Sequence, residues 1–60
     1  MLNPKTRKNM AHIIIEDLGN ELYKLTPESG WVLYNKISRT RHSEAVVKEE
    51  HLHDFVAVEA

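Results

Sequence analysis

The chain contains no cysteine, and this absence limits how so short a protein can be held together. A domain of 60 residues buries only about 60% of the surface that its unfolded chain exposes, so its core is small. Small domains often compensate with disulfides, a metal ion or a partner chain. Disulfides and thiolate zinc sites both need cysteine, so tight packing or oligomerisation must supply the stability here.

The N-terminal segment differs in composition from the remainder. Residues 1–9 hold three cations and one proline and lack apolar periodicity, which predicts a flexible basic arm ahead of a single small domain over residues 10–60. The apolar segment that follows, residues 11–15, is too short for a signal peptide or a membrane span, which need about 7–15 and about 20 residues. We therefore expect a cytoplasmic protein that does not associate with a membrane.

Two strand-like runs flank a turn signal in the first half of the chain. The first is the β-branched run Ile13-Ile14-Ile15 and the second covers residues 21–26. Gly19-Asn20 lies between them, and glycine followed by asparagine indicates a two-residue hairpin loop because glycine adopts positive φ readily.

A helix ending at Leu18, with Gly19 as its C-cap, is the competing interpretation of this segment. Met10, Ile14 and Leu18 recur at a spacing of four, as on one helix face. Three consecutive isoleucines lose side-chain freedom in a helix, and two acids in its last turn oppose the helix dipole. The strand interpretation is therefore favoured.

The clearest local signal is the segment Thr26-Pro27-Glu28-Ser29-Gly30-Trp31. Proline is preset for the first position of a type I turn, and Gly30 suits a closing position with positive φ. A four-residue loop predicts a hairpin in which Thr26 faces Trp31. The same register pairs Leu25 with Val32 and Tyr23 with Tyr34.

Both faces of this predicted sheet are apolar. One face holds five residues: Ile14, Tyr23, Leu25, Val32 and Tyr34. The other also holds five, which we predict as an interface: Ile13, Ile15, Leu22, Trp31 and Leu33. In a sheet with one solvent-exposed face, apolar and polar residues alternate more strictly along each strand. Either the C-terminal segment or another chain must therefore cover one face.

The C-terminal third allows two structures. We favour a strand over 42–48, a turn over 49–51 and a last strand over 55–58. With the earlier runs this predicts an all-β fold, a small antiparallel sheet or open barrel of about five short strands. The alternative is an α+β fold with a helix near 43–54, capped by Ser43 and supported by a Glu44–Lys48 pair.

No pattern of catalytic or cofactor-binding residues is found. His51-x-His53 places two imidazoles close together but does not fill a zinc site, which needs four ligands. None of the serines lies in a nucleophile elbow, and the two glycines do not form a phosphate-binding loop. We predict no catalytic residues, metal site, cofactor or small-molecule substrate, and no enzymatic activity.

A basic loop gives the strongest hint of a nucleic-acid partner. Lys36, Arg39, Arg41 and His42 lie within seven residues of one another, and Trp31 or Tyr34 offers a ring for stacking on bases. The net charge of −1 and the acidic C-terminal third favour the plainer view that these cations solvate a hairpin tip.

One stretch of the chain resembles short uncharacterised bacterial proteins, some of them similar to products of phage or mobile elements. The residues concerned are LTPESGWVLYNK at 25–36 and SEAVV at 43–47, and the likeness covers residues 13–58. These are turn and core residues. The resemblance implies a small β-domain of unknown function and assigns no activity or site residue.

Together these observations predict a non-enzymatic module that binds proteins or associates with itself. The unavoidable edge strands, the small core and the two apolar faces favour a homo-oligomer or another protein as the partner. The alternative is a nucleic-acid-binding module that uses the loop from Lys36 to His42.

Overall fold

The computed structural model describes the backbone of residues 6–60 and the side chains of residues 10–60. Residues 6–60 form strands and one short helix: β1 Thr6–Met10, β2 Ile13–Gly19, β3 Leu22–Pro27, β4 Trp31–Asn35, β5 Thr40–His42, β6 Ala45–Lys48, the 3-10 helix Glu49–Asp54 and β7 Phe55–Glu59. The all-β prediction is confirmed. The strands make two small antiparallel sheets and do not close into a barrel.

The larger sheet has the strand order β1-β2-β3-β6, and the smaller sheet has the order β5-β4-β7. The C-terminal third follows the predicted strand, turn and strand, with the 3-10 helix in the place of the turn, but the first strand begins at Ala45 because His42 belongs to β5 in the other sheet. The alternative helix near 43–54 is therefore wrong over its first part, since Ala45–Lys48 pairs with β3 as a strand. Its two consecutive valines suit a strand better than a helix.

The β1 strand replaces part of the predicted flexible arm. Thr6 pairs with Glu16 and Met10 with Ile13, so the strand Thr6–Met10 belongs to the larger sheet. The remainder of the predicted arm lies outside the described residues. The domain predicted for residues 10–60 thus begins earlier, with β1.

The β2–β3 hairpin is present, but its loop is one residue later than predicted. Asn20 and Glu21 form the turn with φ of 55° and 64°, and Gly19 pairs with Leu22 at an irregularity in the register. Positive φ at both central positions is the geometry whose twist matches that of the flanking strands. The Asp17 carboxylate also accepts a hydrogen bond from the Gly19 N–H at 2.8 Å, which fixes the approach to the turn.

The predicted pairing of β3 with β4 is wrong. The turn forms where expected, with the Trp31 N–H donating to the Glu28 carbonyl at 3.0 Å and Gly30 at φ +91°. Beyond the turn, β4 leaves the larger sheet and pairs with β5 and β7, while β3 pairs with β6. A flat hairpin places Leu25 and Leu33 on opposite faces, whereas the change of sheet lets both enter one core.

The core lies between the two sheets. Its buried side chains come from both sheets and the 3-10 helix: Ile13, Ile15, Tyr23, Leu25, Leu33, Leu52 and Phe55. The Tyr23 hydroxyl donates to a Glu49 carboxylate oxygen at 3.3 Å, so the polar end of this buried ring has a partner. Among residues 6–60, no helix is long and apolar enough to cross a membrane.

Candidate interaction surfaces

The five residues predicted as an interface do not share one surface. Ile13, Ile15 and Leu33 are buried in the core, at 2% exposure or less, so they are not accessible to a partner of the folded chain. Leu22 and Trp31 are half-buried. The interface prediction depended on two registers that differ in the structure. The β2–β3 loop lies one residue later than predicted, which pairs Ile15 with Leu25 and turns Ile13 and Ile15 inward. Leu33 enters the core because β4 joins the other sheet.

A different apolar surface lies on the outer face of the smaller sheet. Val32 is paired with Val58 and Tyr34 with Val56, and these four residues are here called the valine face. Their neighbours Leu33 and Phe55 point into the core, so alternation turns the valine face away from it. All four side chains are only half-buried.

The dimensions of the molecule explain why the valine face stays open. The shortest principal extent of the Cα trace is 14 Å. Two packed sheets are about 10 Å apart, which leaves no room for a third layer of described residues. Arg41 pairs with Tyr34 across the β4–β5 ladder, so its exposed cationic side chain borders the valine face.

The structure separates the predicted nucleic-acid residues into two environments. Lys36 and Arg39 lie on the exposed turn between β4 and β5, where Arg39 has a φ of 61°. Arg41 lies on the outer face beside Tyr34, whereas His42 pairs with Leu33 and faces the inner side. Three of the four side chains are thus on the surface, and the fourth is tied into the packing.

His42 belongs to a short hydrogen-bonded chain. Its Nε2 atom lies 2.7 Å from Thr40 Oγ1, which in turn lies 2.7 Å from Ser38 Oγ. The His42 ring also meets Phe55 edge-on, with the ring centroids 6.0 Å apart. The hydrogen bond to Thr40 gives the His42 imidazole a polar partner, and the contact with Phe55 packs β5 against β7. The sequence around His42 does not reveal this structural role.

A second histidine contact was not predicted. His12, with φ 63°, stacks on Trp31 with ring centroids 3.8 Å apart and planes inclined by 7°, and its Nδ1 lies 3.2 Å from a Glu28 carboxylate oxygen. The Glu28 N–H also donates to the His12 carbonyl at 2.9 Å. These contacts tie the β1–β2 turn to the β3–β4 turn. Only the fold brings the two turns together, so the sequence carries no local signal for it.

A further surface feature is a groove of about 510 Å³. It lies between the β4–β5 turn, strand β6 and the 3-10 helix, with Phe55 at the start of β7. Two of its lining residues, Ile37 and Val46, are large apolar side chains exposed by 73% and 59%. Sequence reasoning missed the groove because it joins segments about ten residues apart in the chain.

The His51-x-His53 pair lies on the 3-10 helix. His51 Nδ1 is 3.3 Å from an Asp54 carboxylate oxygen, and its Nε2 is 3.5 Å from one of Glu50. Both ring nitrogens therefore have carboxylate partners within the helix. Across the described part of the chain, no group of three or more histidine, aspartate or glutamate side chains is placed to hold a metal ion.

No protein-family model, curated protein or solved structure matches the chain. The resemblance to short bacterial proteins therefore stays a prediction.

Proposed function

We propose that this chain is a non-enzymatic interaction module that associates with a second copy of itself through the valine face. The observation that carries the proposal is the pairing of Val32 with Val58 and of Tyr34 with Val56 on a sheet face turned away from the core. A small domain has little core to spare, so an apolar face left in water favours a partner. The cysteine-free composition supports a cytoplasmic location, where disulfides are rare.

Self-association suits this face because it is short and holds two similar apolar pairs. Two copies related by a two-fold axis bring the same valine and tyrosine side chains together, as isologous interfaces require. Arg41 at the border adds a charge that faces its own copy, which limits the tightness of the contact. Because four side chains make a small interface, we expect a dissociation constant in the range of about 10⁻⁵ M.

Light scattering coupled to size exclusion, over a hundredfold range of concentration, tests the proposal. Val56→Lys introduces a charge at the centre of the valine face and is expected to hold the chain as a monomer at every concentration. Ile14→Lys is the matched control, since Ile14 is 52% exposed on the outer face of the larger sheet. A wild-type chain that stays monomeric at millimolar concentration, or equal effects of the two variants, contradicts the proposal.

Nucleic-acid binding is the second candidate, favoured by one observation. Arg41 borders the exposed side of Tyr34, and Lys36 and Arg39 lie on the adjoining turn, which combines cations with a ring for stacking. Titration of single-stranded and duplex DNA or RNA at low salt tests it, with Arg39→Ala and Arg41→Ala as the variants. Binding that is absent, or that survives both substitutions, eliminates this candidate.

A further inference from the structure

The edge of the larger sheet at β6 offers unpaired backbone groups. Within the described strands, β6 pairs with β3 alone. Its register places Val47 opposite Tyr23, and the Glu49 N–H donates to the Glu21 carbonyl at 2.9 Å on the same ladder. Hydrogen-bonded pairs alternate along an antiparallel ladder, so the pairs of Val46 and Lys48 are the non-bonded ones. The backbone N–H and C=O of Val46 and the N–H of Lys48 therefore point to the open edge, whereas the Lys48 C=O begins the 3-10 helix as its N-cap.

The groove of about 510 Å³ lies directly along this edge. Val47 and the buried Phe55 supply apolar surface within it, and the exposed Ile37 and Val46 side chains flank it. Two of the four large apolar side chains classed as exposed in the described chain are thus beside one groove. An open strand edge and an adjacent apolar groove together are what recognition of an extended peptide requires.

The charge around the groove narrows the choice of occupant. Glu50 and Asp54 line it with Lys48 as the lone lysine, so carboxylates outnumber ammonium groups there. His51 lies between the two carboxylates and shares them. A peptide with a cationic residue beside its apolar ones complements this end, whereas an acidic peptide is repelled.

We propose that the β6 edge and this groove bind an extended peptide by strand addition. The peptide pairs with the N–H and C=O of Val46 and the N–H of Lys48, places an apolar side chain in the groove, and carries a lysine or arginine toward Glu50 and Asp54. A four-residue strand is about 13 Å long, so a segment of four to six residues fills the site. This site is separate from the valine face, which lies on the other sheet.

The test uses fluorescence anisotropy of the labelled peptide Lys-Thr-Val-Thr-Val-Thr-Lys with the full chain. Saturable binding with a dissociation constant below about 1 mM is expected, since strand addition to a short edge is weak. The analogue with glutamate at both ends is expected to bind at least about fivefold more weakly, and the analogue with proline in place of both valines not at all. Absence of binding by the first peptide overturns the proposal.

Two variants distinguish binding through backbone hydrogen bonds from nonspecific hydrophobic binding. Val46→Pro removes the N–H that points to the open edge and leaves the β3–β6 ladder intact, a change that edge strands tolerate. It is expected to reduce affinity at least about tenfold, whereas Val46→Thr keeps the N–H and the branched shape and is expected to change it less than about twofold. Equal binding by the two variants overturns the proposal.

Amide shifts in NMR spectra of the wild-type chain provide a readout independent of any variant. Peptide addition is expected to move the amides of Val46, Lys48 and Ile37 and to leave those of residues 56–59 in β7 unmoved. Shifts confined to residues 56–59 contradict the site. If Val46→Pro instead abolishes self-association while Val56→Lys does not, the occupant of the edge is a second copy and the peptide proposal fails.

Discussion

The outer faces of the two sheets differ in chemistry although both sheets cover the same core. On the larger sheet, Glu16 lies opposite Lys24, and the Lys24 ammonium is 3.8 Å from a Glu44 carboxylate oxygen. On the smaller sheet, the corresponding positions are valine opposite valine and tyrosine opposite valine. A charged cross-strand pair suits a face in water, whereas an apolar pair gains by leaving water.

This difference is the reason for which the proposed self-association uses the outer face of the smaller sheet. The larger sheet carries its exposed apolar side chains beside polar ones, with Ile14 opposite Thr26 and Val46 opposite Lys24. The smaller sheet is apolar on both faces, yet only one of them has the core behind it. This contrast between the two outer faces is the basis of the proposed self-association through the valine face.

The largest effect is expected at the inner face of the smaller sheet. Leu33→Ala removes a fully buried side chain from the core, and we expect it to lower the free energy of unfolding by about 2–5 kcal/mol. Val32→Ala, one residue away on the valine face, is expected to lower it by about 1 kcal/mol or less when measured at a concentration that favours monomer. Urea denaturation compares the two. Equal losses contradict the assignment of inner and outer faces.

How much of this arrangement was predictable depends on the range of each interaction. Five of the seven strands and the C-terminal turn were predicted because β-branched runs and turn residues are local signals, whereas β1 falls in the predicted arm and β5 in the predicted basic loop. The sheet that β4 joins was not, since the turn at Gly30 serves a hairpin and a change of sheet equally well. That choice is made by Leu33, which packs with residues distant in the chain.

For the candidate surfaces too, local features were predictable and those that depend on distant parts of the chain were not. Alternation in residues 32–34 and 56–58 is visible in the sequence, but the register that unites the valine face depends on the pairing of β4 with β7. Lys36 and Arg39 lie on an exposed turn as predicted, whereas Arg41 and His42 belong to β5, and the pairing with Leu33 puts His42 on the inner face. The groove was missed because its walls come from separate turns.

An intermediate effect is expected where the two sheets are tied together by turns. His12→Ala removes the ring stacked on Trp31 and the contact with Glu28, and we expect a loss of about 0.5–1.5 kcal/mol in unfolding free energy. A changed tryptophan emission spectrum is expected to accompany it. His53→Ala, at an exposed position on the 3-10 helix, serves as the control. If the two variants unfold alike and emit alike, the stacking contributes nothing.

The smallest effect is expected at the β2–β3 turn of the larger sheet, and it is stabilising. Glu21 has a φ of 64° in an Asn-Glu turn, a conformation that glycine adopts without a steric penalty. Glu21→Gly is therefore expected to raise the free energy of unfolding by about 0.5 kcal/mol, measured as a higher melting temperature. Glu16→Gly, within the strand, is expected to lower it. A loss of stability in Glu21→Gly contradicts the turn geometry.

The most direct test of self-association through the valine face is an NMR comparison of backbone amides at high and low protein concentration. Self-association through the valine face predicts concentration-dependent shifts clustered at Val32, Tyr34, Val56 and Val58, with the larger sheet unmoved and the shifts absent in Val56→Lys. Spectra that do not change with concentration, or shifts that cluster on the outer face of the larger sheet, contradict the account.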